Sequence, residues 1–332
     1  MMKKIILFNL LLLTSSLTLA QDAHLSIYDA APLHLNPSMT GVFDGQFRIH
    51  GQYRTQWRAV NYKPYTTALV SFDASVRKWG FGVQVSNFRA GIGNFNALQG
   101  SVSAAYTTSL DKKRYNNLSF GIQAGITQKS VEYQLLSYDN QYTTQNGGGF
   151  DMSVNSGEDF SNGQRLFTPV TNAGLMYFYA KQQSFLNPFV GISAFNLVQP
   201  RETYFNNANN VLPMRFYGHV GTRINITELF YLIPKALYMH QREFQELTVA
   251  LDAGYYLKNS DLYILAGAIY RNADAMIFTI GARMDSFIAK VGYDVNVSSL
   301  TQASTGRGGF EISFTYMKQK KKPKTEKICP RL

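Results

Sequence analysis

A transmembrane antiparallel β-barrel of about 14 strands, all-β and of outer-membrane type, is the fold class that three observations predict. The first is the stretch Gln46–Arg58, which alternates at period two. Phe47, Ile49, Gly51, Tyr53, Thr55 and Trp57 fall on one side and Arg48, His50, Gln52, Arg54, Gln56 and Arg58 on the other. Successive strand residues point to opposite faces, so this ribbon has one apolar and one hydrophilic face. Its length suits a tilted membrane crossing, which takes about 9–11 residues. The second is composition. Tyr (21), Phe (23) and Gly (26) are plentiful and charged residues make up only 16%, below the roughly 25% of soluble domains. No apolar run reaches the roughly 20 residues that a membrane helix needs. The third is the pattern of connections, which follows from taking the chain in order.

The N-terminus has the form of a secretory signal. Lys3 and Lys4 supply the basic start, Ile5 to Leu13 the apolar core, and Thr18-Leu19-Ala20 a small-residue cleavage site before Gln21,. No Cys stands at that point, which excludes a lipoprotein. The expected parts are therefore a signal peptide (1–20), a lead-in (21–44), a barrel (45–316) and a basic tail (317–332). The lead-in is rich in turn formers, and Pro32 and Pro37 cannot donate to a ladder, so it reads as an ordered or semi-ordered segment before the first strand.

Fourteen strands follow, at 46–58, 66–75, 79–88, 98–109, 117–129, 168–180, 187–196, 214–225, 229–241, 246–257, 262–271, 276–284, 287–297 and 308–316. In the fifth, Leu118, Phe120, Ile122, Ala124 and Ile126 oppose Ser119, Gly121, Gln123, Gly125 and Thr127. Pro234 interrupts the ninth and implies a bulge or a split strand. A soluble sandwich alternates too, but the connections discriminate. The odd-numbered ones hold 89 residues and the even-numbered ones 25. Short turns at one end and long loops at the other are the habit of outer-membrane barrels, with the turns on the periplasmic side. An even strand count with both termini at the short-turn end agrees.

Charge placement fits the same architecture. A cation facing lipid at mid-membrane costs roughly 2–4 kcal/mol. Arg48, Arg54, Asp73, Arg215, Arg223, Asp252, Arg283, Lys290, Asp294 and Glu311 all fall on hydrophilic strand faces, which places them in the lumen, where unlike charges of different strands can pair. Trp57, Trp79, Tyr177, Tyr179, Tyr255 and Tyr316, near strand ends, fit interfacial girdles.

The net charge of +11 is no sign of nucleic-acid binding. Lys3 and Lys4 carry two of these charges and the segment from Met317 onward a net six, leaving +3 on 21–316. The only cysteine, Cys329, lies in the tail, which rules out an internal disulfide. No catalytic constellation stands out, and the five histidines show no metal-ligand spacing; no enzyme activity, cofactor or metal is expected. The glycines at 147–149 and 306–309 open no helix after a strand, so they are loop glycines rather than phosphate cradles.

Two stretches invite partners. The 38-residue connection Ser130–Phe167 carries Tyr133, Tyr138, Tyr142, Phe150 and Phe160 among Asn, Gln and Gly. Long connections of this kind are functional or disordered, and aromatics are favoured at interfaces. The other reading is a passive lid in the barrel mouth. The connection Leu197–Pro213 is a second candidate. The tail, with Lys320, Lys321 and Lys322, is either a solvated charge run or a dock for an acidic partner or anionic lipid. Cys329 could also carry an intermolecular disulfide or a redox-sensitive thiol.

The lead-in and both ends of the chain carry a family resemblance. Ser26-Ile27-Tyr28, Ala31-Pro32-Leu33, Leu35-Asn36-Pro37-Ser38 and Thr40-Gly41, then Tyr53-Arg54-Thr55-Gln56-Trp57, resemble the PorP/SprF family of outer-membrane proteins of the type IX secretion and gliding machinery. The run Gly308–Tyr316 and the terminal Cys329-Pro330-Arg331-Leu332 are similar to that family as well. Two departures are mild: the family's Asn-Pro-Ala is Asn-Pro-Ser here, and Leu332 stands where an aromatic residue commonly ends the chain. The resemblance implies a barrel in contact with outer-membrane lipid. Its implied partners are secreted proteins, adhesins among them, held through type IX C-terminal sorting domains, and periplasmic secretion or gliding components. It also makes Cys329, Pro330 and Arg331 docking candidates. The alternative is a FadL-like or porin-like channel for small solutes, to which fourteen strands and an early Asn-Pro are similar. Such a transporter calls for an apolar cavity, whereas the expected lumen is charged.

Overall fold

The computed structural model describes residues 25–58, 63–144, 148–158, 165–181, 184–203, 210–298, 301–304 and 306–319. The expected signal peptide, Phe160 and the tail residues Lys320, Lys321, Lys322, Cys329, Pro330 and Arg331 lie outside them.

Fourteen antiparallel strands form one closed barrel in which each pairs with its sequence neighbours and the last pairs with the first. They are β1 (Phe47–Gln56), β2 (Tyr65–Val76), β3 (Trp79–Ala90), β4 (Phe95–Ser109), β5 (Asn116–Ser130), β6 (Arg165–Tyr179) and β7 (Leu186–Phe195), then β8 (Arg215–Asn225), β9 (Phe230–Gln241), β10 (Phe244–Leu257), β11 (Leu262–Arg271), β12 (Ala275–Met284), β13 (Phe287–Asn296) and β14 (Arg307–Lys318). Every strand expected from the sequence is present with its ends shifted by at most three residues. Closure is made by β1 on β14, in register from Phe47↔Lys318 to Gln56↔Gly309, so no long edge is left unpaired there. Among the described residues no helix is long and apolar enough to cross a membrane; the crossing is made by strands.

The two faces of the wall differ as the alternation demands. Outside, Val102, Ile122, Ile126, Ile192 and Ile280 are largely exposed, Ile280 by 66%, a liability in water but the required surface in hydrocarbon. Inside, Gln52, Ser71, Gln84, Ser103, Ser119, Gln123, Asn172 and Thr248 are buried. Aromatics collect at both rims: Trp57, Tyr65, Phe88 and Phe95 contact one another at the long-loop end, and Phe47, Phe287 and Tyr316 do so at the short-turn end.

Pro234 neither splits nor ends β9. The strand is continuous against β10, with Pro234 opposite Leu251. The cost appears on the other side, where the β8 ladder passes from Gly221↔Lys235 to Ile224↔Leu232 without partners between, because proline offers no N–H. The β6–β7 ladder is the shortest, running only from Ala173↔Ala194 to Phe178↔Phe189. Two-residue turns close β2–β3, β9–β10 and β12–β13, and their first residues, Arg77, Arg242 and Asp285, take positive φ.

Candidate functional site

The lumen is filled by the chain's own N-terminal segment. The described chain starts at Leu25, near the long-loop end of β11, where Arg271 Nη2 donates to Ser26 Oγ at 2.9 Å. It then descends through the barrel to Gly41, beside the β2–β3 turn, before β1 begins. Three short helical turns compact it, at Tyr28–Ala30, Pro32–Leu35 and Pro37–Met39. Pro32 and Pro37 stand at first-turn positions, where a missing N–H costs nothing and φ is already helical. Leu25, Ile27, Ala31, Leu33 and Leu35 are buried, so a segment without strand pairing is nonetheless a core element.

Asn36 ties this plug to the wall. Its Oδ1 accepts from Ser38 N at 2.9 Å and Ser38 Oγ at 2.7 Å, which caps the following turn. Its Nδ2 donates to the carbonyls of Leu175 and Ile192 at 3.3 and 3.2 Å and lies 3.2 Å from His219 Nε2. Thr40 Oγ1 donates to Pro37 O at 2.8 Å, and Gly41, at φ +74°, donates its N–H to Asp73 Oδ2 at 2.7 Å. The run Asn-Pro-Ser-Met-Thr-Gly is thus a set of caps and a left-handed end, each residue with a local hydrogen-bonding or conformational task.

The wall is notched to receive it. At Gly121 on β5 a Cβ would collide with the Pro37 carbonyl, at Gly80 on β3 with the Thr40 carbonyl, and at Gly174 on β6 with the Asn36 side chain. These glycines sit on the inner face, and their missing side chains bring plug backbone against strand backbone.

Charge closes the rest. Arg48 clamps Asp73 in a two-pronged pair, Nε to Oδ1 at 2.9 Å and Nη2 to Oδ2 at 2.7 Å. Arg54 meets Asp294 at 2.6 Å and Glu311 at 3.4 Å. The Glu311 carboxylate also accepts the backbone N–H groups of Ser26 and Ile27 at 2.7 and 3.0 Å and the Gln52 side-chain amide. Ser26 Oγ donates to Asp294 at 2.7 Å. Lower in the lumen, Lys235 bridges Asp29 of the plug (2.6 Å) and Asp252 of β10 (2.7 Å), while Lys290 lies 3.1 Å from Asp252 and 3.7 Å from Asp29. Buried charges persist only when paired and hydrogen-bonded, and here many of the pairing groups come from the plug.

Of the ten lumen residues, Arg48, Arg54, Asp73, Arg215, Asp252, Asp294 and Glu311 are buried and Arg223, Arg283 and Lys290 half-buried. Arg215 lies over the rings of Phe195 and Tyr217 at 5.0 and 5.2 Å. Lys235, Arg271, Glu246 and Asp29 belong to the same network and escaped the sequence reading. Lys235 shares its phase with the apolar Ile233, Leu237 and Met239, so the period of β9 offers no hydrophilic face on which to place it. Asp29 had none, since a plug residue has no strand period.

The aromatic connection is shorter than expected at 131–164, because β5 and β6 extend beyond their expected ends. It carries 3-10 turns at Tyr133–Leu135 and Asp139–Gln141 and a two-residue ladder, Tyr142–Thr143 with Gly149–Phe150. Glu132 N donates to Gly93 O at 2.8 Å and its carboxylate accepts from Asn94 at 2.9 Å, which anchors the loop to the β3–β4 turn. Tyr142 and Phe150 are 55% and 53% exposed, with rings edge to face at 5.3 Å, and Leu135, Met152 and Val154 are exposed as well. Tyr138 is half-buried, its hydroxyl pushed up by desolvation and by Glu158. Tyr133, expected as a contact residue, is instead buried, at 8% exposure. Among the described residues no group of three His, Cys, Asp or Glu side chains could hold a metal ion.

A family model described as type IX secretion system membrane protein PorP/SprF matches residues 17–316. No curated protein matches significantly. Among solved structures, the CymD monoaromatic hydrocarbon channel is similar with a TM-score of 0.51 at 12% identity, covering 90% of this chain and 95% of that one. The toluene transporter TbuX of Ralstonia pickettii gives 0.52 at 11% identity, covering 90% and 96%. At these identities the likeness is one of fold, that of outer-membrane barrels.

Proposed function

Because the chain belongs to the PorP/SprF family of type IX secretion system membrane proteins, we propose that it works in the outer membrane as a closed adaptor. In this reading it anchors exported surface proteins, adhesins among them, by their C-terminal sorting domains and contacts the periplasmic secretion or gliding apparatus. The observation that carries the reading beyond the family is the occupied lumen: the segment from Leu25 to Gly41 fills it with buried side chains and pairs Asp29 with Lys235 of the wall. A wall whose buried Glu311, Asp294 and Lys235 are met by groups of its own plug is built to hold shape.

The exported partner would meet the long-loop end, where Tyr142 and Phe150 present apolar surface above the membrane rim. Exposed aromatics of this kind supply contact area at small conformational cost. The Lys-rich tail, including Lys320, Lys321 and Lys322, with Cys329, Pro330 and Arg331, would act at the opposite end. A cleaved N-terminal signal near Ala20 would deliver the chain to the envelope.

Gentle-detergent co-purification of the tagged protein from its native outer membrane tests the reading. Exported C-terminal domains or periplasmic secretion components in stoichiometric amount support it. A Tyr142→Ser/Phe150→Ser variant should lose the exported partner, and a chain lacking residues 318–332 should lose the periplasmic one while remaining heat-modifiable. A barrel that purifies alone and swells liposomes readily would favour the alternative, a channel for small solutes; the fold likeness to hydrocarbon channels keeps that arm in the experiment.

A further inference from the structure

The plug leans to one side at the short-turn end. At this level it rests on β3, β5 and β6, with Thr40 against Gly80, Pro37 against Gly121 and Asn36 against Gly174. The opposite wall, β8 to β12, carries a different set of inner-face residues within two positions of the strand ends: Arg223, Tyr231, Tyr256, Tyr263 and Arg283. All five are half-buried, unlike the fully enclosed charges higher in the lumen.

These residues form a continuous lining. The Arg223 guanidinium lies 3.8 Å from the Tyr231 ring centroid, Tyr231 is 6.1 Å from Tyr263, Tyr263 is 4.7 Å from Tyr256, and Arg283 lies 5.8 Å from Tyr263. Gly254 makes the room, since a Cβ there would strike the Tyr231 ring. Both guanidiniums rest on rings. Among the described residues, neither has a carboxylate within ion-pair distance, and the one hydrogen bond shown is Arg223 Nε to Asn225 Oδ1 at 2.9 Å. This sets them apart from Arg48, Arg54, Lys235, Arg271 and Lys290, each of which has an acidic partner. A guanidinium lying on an aromatic ring still has edge N–H donors to offer, in a geometry that matches carboxylate.

We propose that this half of the periplasmic mouth is a binding site for an acidic extended peptide segment of a partner protein, with Arg223 and Arg283 each taking a carboxylate and the tyrosines between them packing on the peptide. Arg223 on β8 and Arg283 on β12 stand four strand spacings apart, roughly 19 Å of wall at about 4.8 Å per strand. That is a span for two carboxylates along a chain rather than for one phosphate. The site is inside the barrel wall, out of reach of lipid headgroups. The chain's own tail, with six lysines from Lys318 to Lys327, has the wrong sign to occupy it. The proposal rests on the orientation used above, with the short turns toward the periplasm, and names the chemistry recognised at that end.

The test is fluorescence anisotropy with the full-length protein in detergent at low salt, using a labelled ten-residue oligoglutamate and a Gly-Ser peptide of equal length as control. Saturable oligoglutamate binding is expected, weakened about tenfold or more in Arg223→Gln/Arg283→Gln, as loss of charge-assisted hydrogen bonds predicts. Heat-modifiable mobility should be kept. Arg223→Lys/Arg283→Lys, which keeps charge but loses the fork, should fall between. Lys320→Gln/Lys321→Gln/Lys322→Gln should leave the rim-dependent part intact. Unchanged affinity in the arginine-to-glutamine variant, binding no better than the Gly-Ser control, or displacement by millimolar inorganic phosphate would overturn the proposal. None of these results bears on co-purification of exported proteins, so the adaptor reading stands or falls separately.

Discussion

The two halves of the plug are held by different physics. From Pro32 to Gly41 it is docked by shape: proline-started turns, the Asn36 caps, and backbone pressed into the glycine notches of β3, β5 and β6. From Leu25 to Asp29 it is docked largely by charge and hydrogen bonds, through Glu311, Asp294, Arg271 and Lys235 of β9 to β14. Shape fixes position through close packing, which tolerates no added volume. Charge fixes position only while every partner is present, since a buried ion left alone is costly. The first mode places the plug against one wall; the second closes the upper lumen and ties plug to barrel across the strands on either side of β1–β14.

Filling the notches has the largest expected effect. Gly121→Val with Gly174→Val puts methyl groups where Pro37 and Asn36 lie, so the plug should be displaced while the strands still close. Liposome-swelling rates should rise from near background to those of an open pore. No change in permeability would mean the plug does not seal the barrel. Next in size is Lys235→Met, which leaves Asp29 and Asp252 with Lys290 alone. A loss of about 3 kcal/mol is expected for breaking a buried pair, read as a lower urea midpoint for heat-modifiable mobility.

Asn36→Ala probes the shape-docked half. It removes the donor to Leu175 and Ile192 and the cap of Ser38, and about 2 kcal/mol is the expected loss. A loss equal to that of Lys235→Met would show that the two modes are one network. The smallest effect lies outside the plug, at Ala273 in the β11–β12 turn, with φ +56°. Ala273→Gly should raise the unfolding midpoint by an amount worth about 1 kcal/mol, with plug and lumen unaffected.

A pH arm separates these from surface turns. In the β4–β5 turn the N–H of Asn116, with that of Tyr115, holds the Asp111 carboxyl below its ordinary value. Its folded pKa is the lower one, so its contribution is complete above the unfolded pKa. It is lost only as pH falls through the folded value. Asp111→Asn should therefore alter stability at pH 7 and converge with the parent in strong acid.

The strands and their inside-outside sense were legible because a barrel crossing the membrane enforces a period of two: each inward Arg54 or Asp294 must alternate with an outward Tyr53 or Tyr293. The long-loop end was legible too, because turns and loops differ in length along the chain. Pairing was not. That Arg54 meets Asp294 and Glu311, 240 and more residues away, follows from closure of β1 on β14, which no local pattern records. The lead-in was readable as turns and prolines but not as a plug. A segment without period has no face to assign, and its glycine notches look like any other strand glycines until the backbone they admit is in place. A fourteen-stranded wall with a charged interior follows from local pattern alone. That the interior is filled, and by which residues, came only from the closed barrel, as did the lack, among the described residues, of an acidic partner within ion-pair distance of Arg223 and Arg283. Period is a property of neighbours along the chain, whereas filling and pairing belong to groups brought together across the barrel.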